Sequence, residues 1–294
     1  MKEIACTTES EWLHERDKLA VTASDAYTLL TKPLLLYARK KGLVDGPTQN
    51  ERMTWGKRLQ GEIAKGFAED TGRTVKLADP FTIFVHEKYP MVGATPDAIE
   101  TWEEKQGPLE IKNTDVEWVD EPPVWYQAQL QVQMSCLDLS YGTLACLHRG
   151  NKLIWADILR HEDFLKTFLS KAEEFSWRLA TNNPPAVDAD GSEDAGKALA
   201  ALFPKDTGAS VALPTEALQW TEELEALKNQ KRAIEEGITL RESWIKEQIK
   251  DATYGVLVDG RRWQWKEQTR VTPPRLEAQV STFRTMRLLK GGKQ

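Results

Sequence analysis

Cysteine is scarce in this chain. Cys6, Cys136 and Cys146 stand far apart and form no Cys-x-x-Cys pair. That excludes a disulfide framework and argues against a thiolate zinc or iron–sulfur site. A reducing compartment fits, and the cytoplasm is the expected location. Histidine is scarce too: His14, His86, His148 and His161 show no ligand spacing. No apolar run reaches the length that spans a membrane, and the opening MKEIACTTESEW lacks the apolar stretch of a signal peptide. Positive charge is not in general excess. The net charge is −6, which argues against a coat for polyanions but leaves local basic patches open.

What is present suffices for one substantial globular domain and an appendage: 294 residues, 40% of them hydrophobic. Residues 10–45 read as helix, turn, helix, with Thr22 or Ser24 capping the second helix at VTASDAYTLL. In 55–71, Trp55, Leu59, Ile63 and Phe67 recur every four positions, a helical period. Residues 73–100 read as strands with turns at Asp79-Pro80 and Tyr89-Pro90. LEIKNT is a short strand, and VWYQAQLQVQMSCLDL a helix carrying a ladder of glutamines. A hairpin follows, turning at Arg149-Gly150-Asn151, then a helix over about 161–180. This order implies an α/β core with a mixed β-sheet flanked by helices.

Three regions follow: a core over 1–181, a linker-like segment over 182–213 rich in Pro, Asp, Gly and Ala, and an appendage over 214–294. In the appendage, 216–250 is a helix with Leu224, Leu227, Ile234, Ile238, Ile245 and Ile249 along one stripe. Lys231 and Arg241 interrupt that stripe, so an antiparallel helical pair and a coiled coil both fit. A hairpin then turns at Asp259-Gly260. The last 34 residues carry nine Lys/Arg against two Glu.

The chemistry concentrates in GATPDAIETWEEKQGPLEIKNT, residues 93–114. On a strand, Glu110 and Lys112 share one face while Ile111 points to the other. Asp97 precedes them across a hairpin-sized gap. Two carboxylates suit Mg²⁺ or Mn²⁺, and the Ile111 carbonyl adds a neutral oxygen. Such an ion polarises a phosphodiester, and the Lys112 ammonium would offset transition-state charge. Taken singly, Pro-Asp is usually a turn and Glu-x-Lys a solvated face; their order, with a Gln-rich helix following, favours a site.

This Pro-Asp…Glu-x-Lys pattern resembles that of the PD-(D/E)xK nucleases, whose core is restriction-endonuclease-like. Five pieces in order, VTASDAYTLL, WGKRLQGEIAKGFAEDTG, GATPDAIE, LEIKNT and YQAQLQVQM, make the chain similar to the phage lambda exonuclease and YqaJ-type viral recombinase family. The resemblance implies an exonuclease that digests one strand of duplex DNA from its 5′ end with two Mg²⁺ ions. It also implies a homo-oligomer, often a trimeric ring, that works on double-stranded DNA ends beside a single-strand annealing protein. By position, Asp97, Glu110 and Lys112 match the catalytic set, with Gln129 or Gln131 as the helix glutamine. Thr95 matches a hydroxyl near the scissile phosphate, and Ser24 and Arg16 match residues that bind the 5′ phosphate. One departure stands out: where the family carries a glutamate after Trp-Gly-Lys, this chain has Gln60. Gln60 and Glu87 are therefore the candidates for a second ion or a held water.

Two other readings remain: a structure-specific or restriction-like endonuclease on the same core, and a DNA-binding scaffold with a weakened site. Trp263 and Trp265, among Arg261, Arg262 and Lys266, suit either stacking on single-stranded DNA or burial against the 216–250 helix.

Overall fold

A computed structural model describes residues 2–269 except 47–49, 117, 119 and 188–192. Two compact units divide the chain at Pro204 and Lys205.

In the first unit the chain runs β1 (Lys2–Ala5), α1 (Glu9–Asp17), β2 (Val21–Thr22), a 3-10 turn (Ala23–Asp25), α2 (Ala26–Thr31), α3 (Pro33–Lys40) and α4 (Glu51–Thr71). Next come β3 (Thr74–Leu77), β4 (Thr82–Val85), β5 (Val92–Ala94), β6 (Ala98–Trp102) and β7 (Lys105–Thr114). The unit closes with α5 (Val124–Leu137), β8 (Tyr141–His148), β9 (Lys152–Leu159), α6 (Glu162–Ala180) and α7 (Glu193–Leu202). Local signals set several of these ends. The Asn50 side chain accepts from Met53 N at 3.0 Å to start α4, which stops at Gly72 with φ +70°.

The strands form a mixed sheet of order β3-β6-β7-β8-β9 and a smaller one of order β1-β4-β5-β2. The parallel β7–β8 pair requires a crossover, and α5 supplies it. Alternation along β7 decides which helix each residue meets. Leu109 and Ile111 pack with Ile63, Ala64 and Phe67 of α4. The opposite face meets α5, where Leu130 and Met134 pack on Leu144. The fold is thus the expected mixed sheet between helices. A second core joins the short N-terminal helices to α5 and α6 through Leu29, Tyr37, Val132, Phe168 and Phe175.

The 182–213 stretch departs from the linker-like expectation. Residues 193–202 are the helix α7, whose small Ala198 seats against Leu34 and Ala38 of α3. Asp194 on its first turn pairs with Lys32 at 2.7 Å. Composition rich in Pro, Asp, Gly and Ala implies a loose chain, but within 193–202 the small side chains at helical spacing are what close helix packing requires.

The second unit contains α8 (Glu216–Ile249), β10 (Tyr254–Val256) and β11 (Arg262–Gln264). α8 runs unbroken for 34 residues, so the antiparallel helical pair does not form. Its stripe residues Leu227, Ile234 and Ile238 are exposed, while Ile249 is buried. The hairpin turns at Gly260, φ +85°, as the Asp-Gly signal implies. Trp263 and Trp265, half exposed, line a groove with Ile245 and Ile249 of α8. Most of the basic C-terminal stretch, 270–294, lies outside the described residues. Among the described residues, no helix is long and apolar enough to cross a membrane.

Candidate active site

The β6–β7 ladder ends at the pair Ala98–Leu109. One residue before that end sits Asp97, and two beyond it the Ile111 amide has no β6 partner. The Asp97 carboxylate takes that amide instead, accepting from Ile111 N at 2.8 Å. In an extended strand a residue's N–H and C=O open to the same side, so the Ile111 carbonyl also looks toward Asp97. Glu110 and Lys112 lie on the face toward α5, as alternation predicts. Lys112 Nζ donates to Glu110 Oε1 and, at 3.3 Å, to Gln129 Oε1. Gln129 Nε2 donates to Glu110 Oε1 at 2.6 Å, closing a ring of three side chains. The Lys112 ammonium also stands 5.1 Å from the centre of the Tyr126 ring.

Electrostatics follow from crowding two acids into this pocket. Burial, and then the Glu110 charge, push the Asp97 carboxyl up to about 7. Burial works against the Lys112 charge, but the Glu110 and Asp97 carboxylates outweigh it and hold its pKa above the ordinary lysine value. A proton on Asp97 therefore stabilises the metal-free fold, and that stabilisation is lost as pH rises from near 4 through about 7. His86 opposes this, because burial lowers its pKa and protonating it below its ordinary range costs stability. Asp97→Asn isolates the Asp97 share. With divalent cations removed, thermal melts from about pH 5.5 to 8 should show the variant gaining on wild type as pH rises. A gap that does not change with pH would contradict the assignment.

The helix glutamines divide by face. Gln129 and Gln133 are four residues apart, one above the other on α5. Gln133 is fully buried and donates to Glu110 Oε2 at 2.5 Å, so both glutamate oxygens are held from one helix. Its own Oε1 has no partner among the described residues, a cost that a purely packing residue would not retain. Sequence reasoning passed over Gln133, although the i, i+4 spacing was there to read. Gln131 is not part of the site. It accepts from His161 N at 2.8 Å and donates to Leu159 O at 2.8 Å, tying α5 to the start of α6. Two residues turn a helix by about 200°, which carries Gln131 away from Glu110.

Gln60 of α4 faces the site, but its amide lies 3.5 Å from the Asp97 carbonyl, too long for a strong bond. Ala78 N already occupies that carbonyl at 3.1 Å. Glu87 is exposed in the β4–β5 connection. Among the described residues, no group of three or more His, Cys, Asp and Glu is placed to hold a metal. Gln60→Glu adds the missing acid, and activity at low Mg²⁺ should rise severalfold. An unchanged Mg²⁺ titration would place that helix face outside the site.

A polar cluster lies on the neighbouring sheet. β2 pairs in parallel with β5, Thr22 opposite Gly93, four residues before Asp97. Arg16 Nη2 donates to Ser24 Oγ at 2.6 Å and to Thr22 Oγ1 at 3.3 Å. The Arg16 guanidinium stacks 5.0 Å from the Trp12 ring, and Trp12 Nε1 donates to Thr95 Oγ1 at 3.2 Å. Thr95 in turn donates to Thr82 O at 3.0 Å, so its hydroxyl is engaged in holding Trp12. The expected helix N-terminus is a single 3-10 turn before the six-residue α2. Thr22 N already donates to Asp25 Oδ2 at 3.0 Å. Any phosphate there would meet Arg16 and the Thr22 and Ser24 hydroxyls rather than a helix dipole.

A second charge group, buried at Arg73 and Glu100 and partly exposed at Asp157, escaped the sequence. Arg73 holds Asp157 with paired bonds of 2.7 and 2.6 Å and Glu100 at 3.0 Å. The Thr143 hydroxyl lies within hydrogen-bond reach of both acids and has one proton to give to either.

Two carboxylates and an ammonium brought together in this way are groups that can hold a divalent cation beside a phosphodiester. Residues 11–140 match the family model of the YqaJ-like viral recombinase domain. The match takes in Arg16, Ser24, Asp97, Glu110, Lys112, Gln129 and Gln133. Among solved structures, the chain is similar to an alkaline exonuclease from Laribacter hongkongensis. Identity is 18%, with 59% of this chain and 94% of that one covered, at a TM-score of 0.48. It is also similar to a phage-related exonuclease from Haemophilus somnus 129PT, at 12% identity, 56% and 96% coverage and a TM-score of 0.43. No curated protein matches the chain in sequence.

Proposed function

We propose that the protein is a Mg²⁺-dependent exonuclease that digests the 5′-ended strand of linear duplex DNA, leaving 3′ single-stranded tails for annealing. The observation that carries this reading is the convergence of Asp97, Glu110 and Lys112 beside the Arg16–Ser24 cluster. The donor set suits a hard divalent cation: two carboxylates, Asp97 being raised by burial and then by the Glu110 charge, and a carbonyl from Ile111. Asp97, Glu110 and the Ile111 carbonyl would hold the ion, with Mn²⁺ able to replace Mg²⁺. When bound, it supplies Lewis acidity toward a phosphodiester oxygen and lowers the pKa of water. A second ion would find the neutral Gln60 where an acid is usual.

The protein groups divide the remaining work. Lys112 places positive charge where the phosphate gains negative charge in the transition state. Gln129 fixes Lys112 and Glu110 relative to each other, and Gln133 fixes the second Glu110 oxygen. Arg16 and Ser24 would bind a terminal 5′ phosphate, with Trp12 and Thr95 holding Arg16 in place. The family resemblance extends the reading to a ring-shaped homo-oligomer acting with a single-strand annealing protein.

Digestion of linear duplex labelled at either end, against closed circles and with or without Mg²⁺, tests the proposal. Metal-dependent loss of the 5′-ended strand from linear DNA alone is expected. Cutting of circles would indicate an endonuclease, and stoichiometric binding without cleavage a scaffold. Arg–phosphate bonds are charge-assisted, so Arg16→Ala should slow digestion of 5′-phosphorylated ends about tenfold or more. Ends bearing a 5′-hydroxyl should be affected far less. Equal rates on both ends in wild type would remove the pocket.

A further inference from the structure

The ground between the two polar clusters is occupied by aromatic side chains. Tyr27 follows Ser24 by three residues, so the two share a helical face, and both are exposed. Trp125 precedes Gln129 by four residues on α5 and is likewise exposed. The two rings meet edge to face, centroids 6.2 Å apart. Tyr126 continues the row, 5.7 Å from Trp125, and leads to the Lys112 ammonium. One end of the row thus adjoins Arg16 and Ser24, and the other adjoins Glu110 and Lys112.

Tyr27 and Trp125 pack on each other yet leave 37% and 41% of their surface open to solvent. The buried side of this region is already filled by Ala26, Leu29, Ala128 and Val132. The pair is flanked by two sets of cations and hydroxyls suited to phosphates. A nucleic-acid strand alternates phosphates with flat apolar bases, and aromatic rings accept any base by stacking. We infer that Tyr27 and Trp125 form a stacking step for the unpaired bases next to the 5′ end, positioning the strand between Arg16–Ser24 and Lys112. This rests on the nuclease reading above and adds to it the requirement that terminal bases leave the duplex. Stacking has no base preference, so the step would serve an enzyme that digests any sequence.

The test uses the full chain with 2-aminopurine placed at the second, third or tenth nucleotide from a 5′-phosphorylated end of linear duplex. Binding is read in the Lys112→Ala background, which retains the site's shape and leaves the DNA uncut. Fluorescence should change at the second or third position and not at the tenth. Trp125→Leu and Tyr27→Leu should each abolish that change, and Trp125→Phe should restore most of it. In the chain with Lys112 intact, the same Leu variants should raise KM for DNA ends about tenfold, the size of one lost base stack. Both residues are surface-exposed, so melting curves should match wild type, and Tyr27→Leu reads the step from a different helix. Position-dependent fluorescence that persists in both Leu variants would overturn the stacking step while leaving the nuclease reading intact. A wild type that digests no linear duplex would overturn both.

Discussion

Lys112→Ala should lower the cleavage rate by about two to three orders of magnitude while DNA binding stays close to wild type. The ammonium is held by Glu110 and Gln129, on the strand face where the carboxylates converge. Its charge matters most when negative charge builds on the phosphate, which is a transition-state effect more than a binding effect. Single-turnover digestion together with a binding titration separates the two. Cleavage within a few-fold of wild type would remove Lys112 from its assigned role. Arginine should not rescue the variant, because a planar fork cannot replace a compact ammonium between Glu110 and Tyr126.

Asp97→Ala and Glu110→Ala should each abolish metal-dependent digestion, and calorimetric titration with Mn²⁺ should lose at least one site in each. Stability should then split the pair. Asp97 is a carboxylate whose ionisation burial opposes, so removing it should hold or raise the melting temperature at about pH 8. Removing Glu110 leaves Lys112, Gln129 and Gln133 without their shared acceptor, so Glu110→Ala should lower it. Metal binding unchanged in both variants would sink the site assignment.

Much of the geometry of this candidate site could be read from the sequence because its signal is local. The period of a strand puts Glu110 and Lys112 on one face, and a hairpin returns Asp97 to them. The helix glutamines were ambiguous only until the face of α5 was known: Gln129 and Gln133 share it, and Gln131 does not. What stayed hidden depends on partners far apart in the chain. Arg73 meets Glu100 and Asp157 across 27 and 84 residues, with no spacing to announce it. Thr95 was expected at a phosphate, yet its hydroxyl is held between Thr82 and Trp12, a contact set by packing of α1 on the smaller sheet. The α7 helix was missed for another reason: Ala-rich composition signals both loose chain and close packing, and the α3 surface decides which.

The Arg73 group carries a consequence for how such chains can diverge. Glu100 is wholly enclosed and Arg73 nearly so; both bond Thr143, and Arg73 also holds Asp157. Loss of Arg73 alone would strand a carboxylate inside the protein, at about 3 kcal/mol or more. Loss of all the charges together, with apolar replacements of matching volume, could be nearly neutral. Intermediate genotypes are therefore the least fit, and these positions should change as a linked set across descendants of this chain. A relative with an apolar residue in place of Arg73 should lack the Glu100 carboxylate as well.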